Sequence, residues 1–227
     1  MSTNRNAEVA DLDVALQAIG QPDRAPAQAA ARLLNRRARD NWTIWRKEWF
    51  ARRETIGTLL LGVKKADAGM AVELVGALGA ASQRYDIIDM RIHDTLLDLF
   101  DHAADPVRIA IAQAIPHFGT RAAWDLVLQT LSAKPPRSAH HTVALAVARY
   151  GATIEPALRL EVAALLLGVI RKQKNRDIQS TIAKAITVVG SAKDLPALHA
   201  WLDKAESRTV RDNILQAIAA CSERPEN

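Results

Sequence analysis

Apolar residues recur at the spacing of one helix face in four segments from residue 107 onward. The segments begin at Val107, Ala139, Ile178 and Val210. Counting from each start, positions i, i+4, i+7, i+8 and i+11 are apolar in all four segments. This spacing places the side chains on one side of an α-helix, because the helix completes a turn in about 3.6 residues. The starts lie 32, 39 and 32 residues apart, so the pattern predicts a repeated helical unit.

Each of these apolar stripes alternates with a second apolar helical segment. The second segments cover about residues 121–133, 155–172 and 194–205. A helical hairpin of roughly 30 to 40 residues cannot bury two apolar stripes by itself, so the hairpins must stack on one another. Gly119, Gly151 and Gly190 follow three of the stripes at the same place, and we interpret them as C-terminal helix caps.

The first 85 residues predict helices with a less regular spacing. We expect helices at residues 7–19, 26–38, 41–63 and 69–81, of which the third is long. The segment 86–102 then begins the regular array. We therefore predict one continuous domain, in which residues 1–85 are divergent repeats or a cap, residues 86–222 are regular repeats, and residues 223–227 are a flexible tail.

The composition agrees with an all-α protein and argues against several other classes. Aromatic residues make up 4% of the 227 residues, and 10 glycines and 9 prolines are few for a β-sandwich or barrel. Charged residues make up 24%, which argues against a disordered chain. The single cysteine, Cys221, cannot form an internal disulfide, and the first residues lack the apolar run of a secretory signal. We expect a cytoplasmic protein that has no contact with a membrane.

Two stretches of the chain resemble HEAT repeats. One is Leu99-Phe-Asp-His-Ala-Ala-Asp-Pro-Val-Arg108, followed by Ala114-Ile and Phe118-Gly119. The other begins Gly190-Ser-Ala-Lys-Asp-Leu-Pro-Ala-Leu-His-Ala-Trp-Leu-Asp-Lys and continues through Ser207-Arg-Thr-Val-Arg. The resemblance is good over residues 86–222. It implies an all-α fold, a right-handed superhelix of stacked antiparallel helical hairpins, which is a HEAT-like α-solenoid.

The resemblance also implies which residues face a partner. In HEAT repeats a Val-Arg pair opens the second helix, and its Arg tends to link neighbouring repeats. Arg108 and Arg211 match this pattern, whereas His140 and Gln179 depart from it. The second helices line the concave face, and extended faces of this kind bind proteins or peptides. The polar positions on these helices, here called the concave ladder, are Arg108, Gln113, His117, His140, Arg149, Gln179, Lys184, Arg211 and Gln216.

Positive charge is concentrated in one part of the chain. Residues 26–65 hold ten basic and three acidic residues, whereas the other 187 residues sum to a charge of −2. All ten basic residues lie within residues 32–65, here called the basic segment. Like charges placed together cost stability unless a counter-charge arrives, so we predict that the segment binds a partner. The candidate residues are Arg36, Arg37, Arg39, Arg46, Lys47, Arg52 and Arg53.

An acidic protein surface fits this segment better than a nucleic acid does, because a duplex-binding cleft would recruit basic residues from several repeats. Trp42, Trp45 and Trp49 recur here at i, i+3 and i+7. That spacing is typical of a core seam on a long helix, and alternatively of a platform on which nucleobases stack. Phe50 lies off this stripe, where it could be exposed.

The sequence contains none of the common catalytic or phosphate-binding motifs that place a nucleophile or a glycine-rich loop. Asp86, Asp89 and His93 share one predicted helix face and could ligate a metal. No other segment has an Asp or Glu three or four residues before a histidine to complete such a metal site, so a solvated acidic face is the simpler interpretation. We therefore predict a non-catalytic protein–protein interaction module or scaffold subunit, with no cofactor and no metal. The alternative is a nucleic-acid-binding protein, such as a HEAT-like DNA glycosylase, that uses the basic segment.

Overall fold

The computed structural model describes residues 2–132, 137–170 and 172–224. Within these residues the chain forms thirteen α-helices, a few short 3-10 turns and no β-strand. None of these described helices is long and apolar enough to cross a membrane. The helices are α1 (Ser2–Ile19), α2 (Arg24–Ala38), α3 (Ile44–Phe50), α4 (Arg53–Lys65), α5 (Ala68–Tyr85), α6 (Met90–Phe100), α7 (Asp105–Ala114), α8 (Arg121–Ser132), α9 (Arg137–Tyr150), α10 (Pro156–Ile170), α11 (Arg176–Val189), α12 (Leu195–Leu202) and α13 (Arg208–Ser222).

The chain divides into two compact units, Met1–Phe118 and Gly119–Asn227. In the first unit α2 packs against α1 and α5, and α5 packs in turn against α7. In the second unit α11 packs against both α9 and α13, while α10 packs against α11 and α12 against α13. Each unit is thus a stack of helices in which neighbouring layers are close in sequence. The first unit extends beyond residue 85 and includes α6 and α7.

The predicted apolar stripes lie on α7 with the 3-10 turn that follows it, and on α9, α11 and α13. They form much of the core of each unit. Seventeen of the twenty stripe positions are buried. The other three, Phe118, Tyr150 and Ile218, are half-buried. Burial of a Val, Leu or Ile side chain stabilises a fold by about 1.5–3 kcal/mol, so these stripes supply a large part of the driving force. The predicted all-α fold and the register of its stripes are confirmed.

The segment predicted as one long helix over residues 41–63 contains two helices, so that prediction is wrong. The Thr43 hydroxyl caps α3 by accepting a hydrogen bond from the Arg46 amide at 3.4 Å. The helix ends after Phe50, and α4 begins at Arg53. Both Trp49 and Phe50 are fully buried, although adjacent side chains on a helix point about 100° apart. The break allows α4 to turn its own apolar face toward the core after both aromatic rings are buried.

Only one of the three glycines that follow the stripes has the left-handed backbone of a helix cap. Gly119 has φ +67°, whereas Gly190 is extended, with φ −70° and ψ 161°. A Cβ on Gly190 would lie 2.6 Å from Cys221 Sγ, and a Cβ on Gly151 would lie 2.8 Å from Val189 Cγ1. Gly190 nevertheless occupies the C-cap position of α11, where its amide donates a hydrogen bond to the carbonyl of Ile186 at 2.7 Å. The cap interpretation is wrong for Gly151, which begins a 3-10 turn directly after α9. Glycine is needed at both positions because α11 packs closely against Gly151 and α13 against Gly190.

The last described residues are attached to the second unit. The Arg224 guanidinium donates hydrogen bonds to the carbonyl oxygens of Thr187 at 2.5 Å and Gly190 at 2.9 Å. These bonds join the end of α13 to the end of α11 and satisfy carbonyls that have no partner within their own helix. Residues 225–227 lie outside the described residues, so their predicted flexibility stays a prediction.

Candidate functional site

Two arginines of the basic segment converge on one carboxylate from α1. Glu8 Oε1 accepts hydrogen bonds from Arg37 Nη1 at 3.1 Å and from Arg46 Nη2 at 2.7 Å. Arg37 also donates to Asp40 Oδ2 at 3.1 Å, and Arg46 donates to the carbonyl of Asn41 at 2.8 Å. Arg46 is only 9% exposed. These two guanidinium groups therefore hold α1, α2 and α3 together, and their charges are compensated inside the unit.

A second carboxylate of α1 binds the other end of α3. Asp13 Oδ1 accepts a hydrogen bond from Trp49 Nε1 at 2.8 Å and lies 3.6 Å from Arg52 Nη1. Glu8 and Asp13 both precede the part of the sequence in which the positive charge was counted. The role of these two carboxylates was not predicted, because a charge count along the chain does not reveal that α1 packs against the basic segment. Acidic residues on a helix next to a basic helix are the signal that could have found them.

The remaining candidate residues of the segment point to solvent. Arg39 makes one side-chain hydrogen bond, from its Nε to Asn35 Oδ1 at 3.0 Å. The structure thus separates the seven candidates into an internal pair, Arg37 and Arg46, and five exposed cations. We call the latter the exposed basic group, which consists of Arg36, Arg39, Lys47, Arg52 and Arg53.

Apolar side chains are exposed in the same stretch of chain as these cations. Trp42 is 56% exposed and Ile44 is 63% exposed, and both lie in or beside the connection between α2 and α3. Trp45 is half-buried and stacks against the Arg46 guanidinium, with 4.9 Å from Cζ to the ring centroid. The predicted tryptophan seam is therefore buried only at Trp49.

The aromatic ring of Phe50 belongs to the core. It packs edge-on against Trp49, with 4.9 Å between ring centroids, and stacks on Tyr85 at 5.6 Å. The prediction that Phe50 could be exposed is wrong, because the end of α3 places its side chain between α3 and α5. Burial also raises the pKa of the Tyr85 hydroxyl above its usual value, so this aromatic cluster stays neutral.

At Arg108, Gln179 and Arg211, the first position of the concave ladder makes hydrogen bonds within its own hairpin. Arg108 donates to the carbonyls of Phe100 at 2.9 Å and Asp101 at 2.7 Å, at the end of α6. Arg211 donates to the carbonyls of Leu202 at 3.0 Å and Ala205 at 3.2 Å, after α12.

Gln179 occupies the same position in the hairpin of α10 and α11. Its Nε2 donates to the carbonyl of Gln173 at 2.7 Å. The three side chains donate to carbonyls at the end of the first helix of their own hairpin or just after it. The resemblance to HEAT repeats implied an Arg that links neighbouring repeats, whereas the described contacts of Arg108 and Arg211 stabilise the hairpin that contains them.

The other ladder residues differ in their exposure. Arg149, Lys184 and Gln216 of the second unit are exposed, while Gln113 of the first unit is half-buried. Burial lowers the pKa of His140. Burial also lowers the pKa of His117, although Asp86, 3.7 Å from its Nε2, opposes the shift. Both histidines are therefore held in the neutral form near neutral pH.

The acidic residues near α6 have structural roles. Asp89 caps α6 by accepting from the Arg91 amide at 3.0 Å and pairs with the same residue's guanidinium at 2.6 Å. These contacts lower the pKa of Asp89. His93 is buried, with its Nδ1 2.8 Å from Asp94 Oδ1. No three carboxylate, histidine or cysteine side chains among the described residues lie together as a metal site would require.

Comparison with known proteins identifies the fold. No family model and no curated protein matches the sequence. An engineered protein from the Northeast Structural Genomics Consortium is 18% identical, with a TM-score of 0.71 over 93% of this chain and 98% of its own. A designed armadillo repeat protein is 16% identical, with a TM-score of 0.67 over 92% and 99%.

A further designed armadillo repeat protein, solved in complex with the peptide (KR)4, is also 16% identical. Its TM-score is 0.65 over 92% of this chain and 98% of its own. At sequence identities this low, structural similarity shows the fold alone. In each case the similarity covers nearly the whole chain. It agrees with the buried stripes and the stacked hairpins described above. The protein has the fold of a helical-repeat α-solenoid.

Proposed function

We propose that this protein is a non-catalytic binding scaffold, and that its first unit binds an acidic protein segment through the exposed basic group. The observation that carries the proposal is the exposure of Trp42 and Ile44 in the stretch of chain that also carries the five solvent-facing cations. Tryptophan and arginine are the residues most enriched at the centres of protein–protein interfaces. An exposed tryptophan flanked by arginine and lysine therefore supports a partner that offers both apolar area and carboxylates.

The structural neighbours support the mode of binding. One designed armadillo repeat protein of the same fold was solved with a peptide, (KR)4, which is strongly basic. Extended helical-repeat surfaces suit linear peptide segments because each repeat contributes a few contacts along the chain. In the present protein the exposed charged groups of the basic segment are eight cations against two carboxylates, Glu48 and Glu54, so the complementary segment is acidic. Complementary charge chiefly raises the association rate and selects among partners.

The test is a triple charge reversal within the exposed basic group. Arg36→Glu, Arg39→Glu and Lys47→Glu change exposed side chains and leave the Glu8 network intact. Arg46 is unsuitable for this purpose, because its reversal would place a carboxylate beside Glu8 inside the unit. The matched control reverses three exposed lysines of the second unit, Lys172, Lys174 and Lys204, which gives the same change in net charge.

Binding is measured by fluorescence anisotropy with a labelled Glu-rich peptide and with a labelled DNA duplex. We expect the triple variant to lose peptide affinity by about tenfold or more, since each exposed ion pair contributes about 0.2–1 kcal/mol. The control variant should keep its affinity and both should melt normally. Equal peptide affinity in the wild type and the triple variant would contradict the proposal. Tight duplex binding that only the triple variant loses would favour the nucleic-acid alternative.

A further inference from the structure

The first unit contains a cavity that no residue of the exposed basic group or the concave ladder lines. Its volume is about 550 Å³, within the range of about 300–1,000 Å³ that is usual for ligand pockets. It lies where the connection from α1 to α2 meets the end of α4 and the start of α5, and it is open to solvent. A side chain of another molecule can therefore be partly enclosed here.

One wall of the cavity is a single stripe of α4. Thr58, Leu61, Gly62 and Lys65 line it, and their spacing of i, i+3, i+4 and i+7 puts them on one helix face. A Cβ on Gly62 would lie 2.5 Å from Ile19 Cγ2, so glycine allows the end of α1 to pack directly against α4. That contact forms an apolar floor. Leu61 remains 56% exposed at the rim.

The rim of the cavity is positively charged on balance. Arg24 and Lys65 are exposed there together with Asp67. The Asp67 carboxylate is engaged within the protein, because it accepts a hydrogen bond from the Met70 amide at 3.0 Å and pairs with Arg24. The bond from the Met70 amide, with the charge of Arg24, lowers the pKa of Asp67. An incoming carboxylate therefore meets the ammonium group of Lys65 rather than an unengaged acid.

We propose that this cavity takes one large apolar side chain of an acidic peptide segment, while Lys65 contacts a carboxylate next to it. The inference rests on the proposed function, since α4 ends the basic segment and the partner is of the same class. An apolar floor with a cationic rim fits an apolar residue flanked by Asp or Glu. The open side favours a peptide over an enclosed small molecule, because a chain must enter and leave the cavity.

Two labelled peptides test this proposal with the full chain. Both carry Asp and Glu on each side of a central residue, which is Leu in one and Ser in the other. We expect the Leu peptide to bind about tenfold more tightly, because the cavity encloses its side chain. Leu61→Ser and Lys65→Glu should remove most of that advantage.

The chain offers a matched control for each variant. Ile88→Ser removes an apolar side chain outside the cavity that is 65% exposed, somewhat more than Leu61. Lys64→Glu reverses the neighbouring charge, which does not line the cavity. Both controls should keep the preference for the Leu peptide. All four changes are at exposed positions, and circular dichroism melting checks that each variant is folded.

The outcomes separate this inference from the proposed function. Equal affinity for the two peptides would overturn the role of the cavity, and so would equal losses in the cavity variants and their controls. If the triple variant at Arg36, Arg39 and Lys47 also lost both peptides, the proposed function would stand without the cavity. Failure of the wild type to bind either peptide at about millimolar concentration would overturn both proposals.

Discussion

Glu8 changes the electrostatic interpretation of the basic segment by itself. It accepts hydrogen bonds from Arg37 and Arg46, whose guanidinium groups would otherwise repel each other. Arg46 is nearly buried, and a buried cation is stable only when it is paired and hydrogen-bonded. The carboxylate therefore acts as the internal counter-charge that a partner was predicted to supply. Within the exposed basic group, Arg52 lies near Asp13, whereas the described contacts of Arg36, Arg39, Lys47 and Arg53 include no ion pair.

Replacement of Glu8 by glutamine should destabilise the first unit. Glu8→Gln keeps the shape of the side chain but removes the charge from two hydrogen bonds, one of them to a buried guanidinium. We expect a loss of about 1–3 kcal/mol in the free energy of unfolding, measured by urea denaturation. Asp11→Asn, at an exposed position on the same helix, is the control and should change stability by less than about 0.5 kcal/mol. Equal losses in the two variants would contradict the role of Glu8.

Cys221 should be unreactive in the folded protein. Its side chain is fully buried in α13, and burial raises the pKa of the thiol to about 11. Because the thiolate is the reactive form, we expect a thiol reagent at pH 8 to modify the native protein far more slowly than the urea-unfolded chain. The rate of colour release by a disulfide reagent measures this. Equal rates in the two states would show that the end of α13 opens readily.

At the scale of elements, the apolar stripes were the most predictable feature of the fold. A stripe depends on the spacing of residues within one helix, so the helix predicted at residues 26–38 and the observed α2 (Arg24–Ala38) agree closely. The break between α3 and α4 depends on where Trp49 and Phe50 are buried, which the spacing of neighbouring residues does not reveal. The hydrogen bonds of Arg108 and Arg211 likewise depend on how a hairpin closes. Sequence alone therefore predicted the helices better than the site.

Two glycines of the second unit should respond oppositely to alanine. A Cβ on Gly190 would lie 2.6 Å from Cys221 Sγ and 2.8 Å from the carbonyl oxygen of Ile186, so Gly190→Ala should destabilise by about 1–3 kcal/mol. Gly168 lies inside α10, and a Cβ there would meet no atom within 4 Å. Gly168→Ala should therefore stabilise by about 0.5–1 kcal/mol through helix propensity. Thermal melting compares the two variants, and a loss of stability in both would contradict the packing argument.

At the scale of the whole molecule, the net charge of +5 gives little guidance to the binding surface. The range Met1–Phe118 holds 15 basic and 15 acidic residues, whereas Gly119–Asn227 holds 15 basic and 10 acidic residues. The first unit is thus neutral although the basic segment within it carries +7. Salt screens exposed charges beyond about 10 Å at 0.1 M, so a partner meets local charge rather than the sum.

The salt dependence of duplex binding should therefore reflect the exposed basic group rather than the net charge. For a DNA duplex the logarithm of affinity falls with the logarithm of salt concentration by about 0.9 per phosphate neutralised. The five exposed cations accordingly limit that slope to about −4.5. A Glu-rich peptide with one apolar residue should show a shallower slope, because its apolar contacts are not screened.

Anisotropy titrations at several salt concentrations measure both slopes, with the triple charge-reversal variant as the control. A duplex slope steeper than this limit would show that basic residues beyond this group bind phosphates. If the duplex also bound more tightly than the peptide at physiological salt, the two results together would contradict an acidic protein partner.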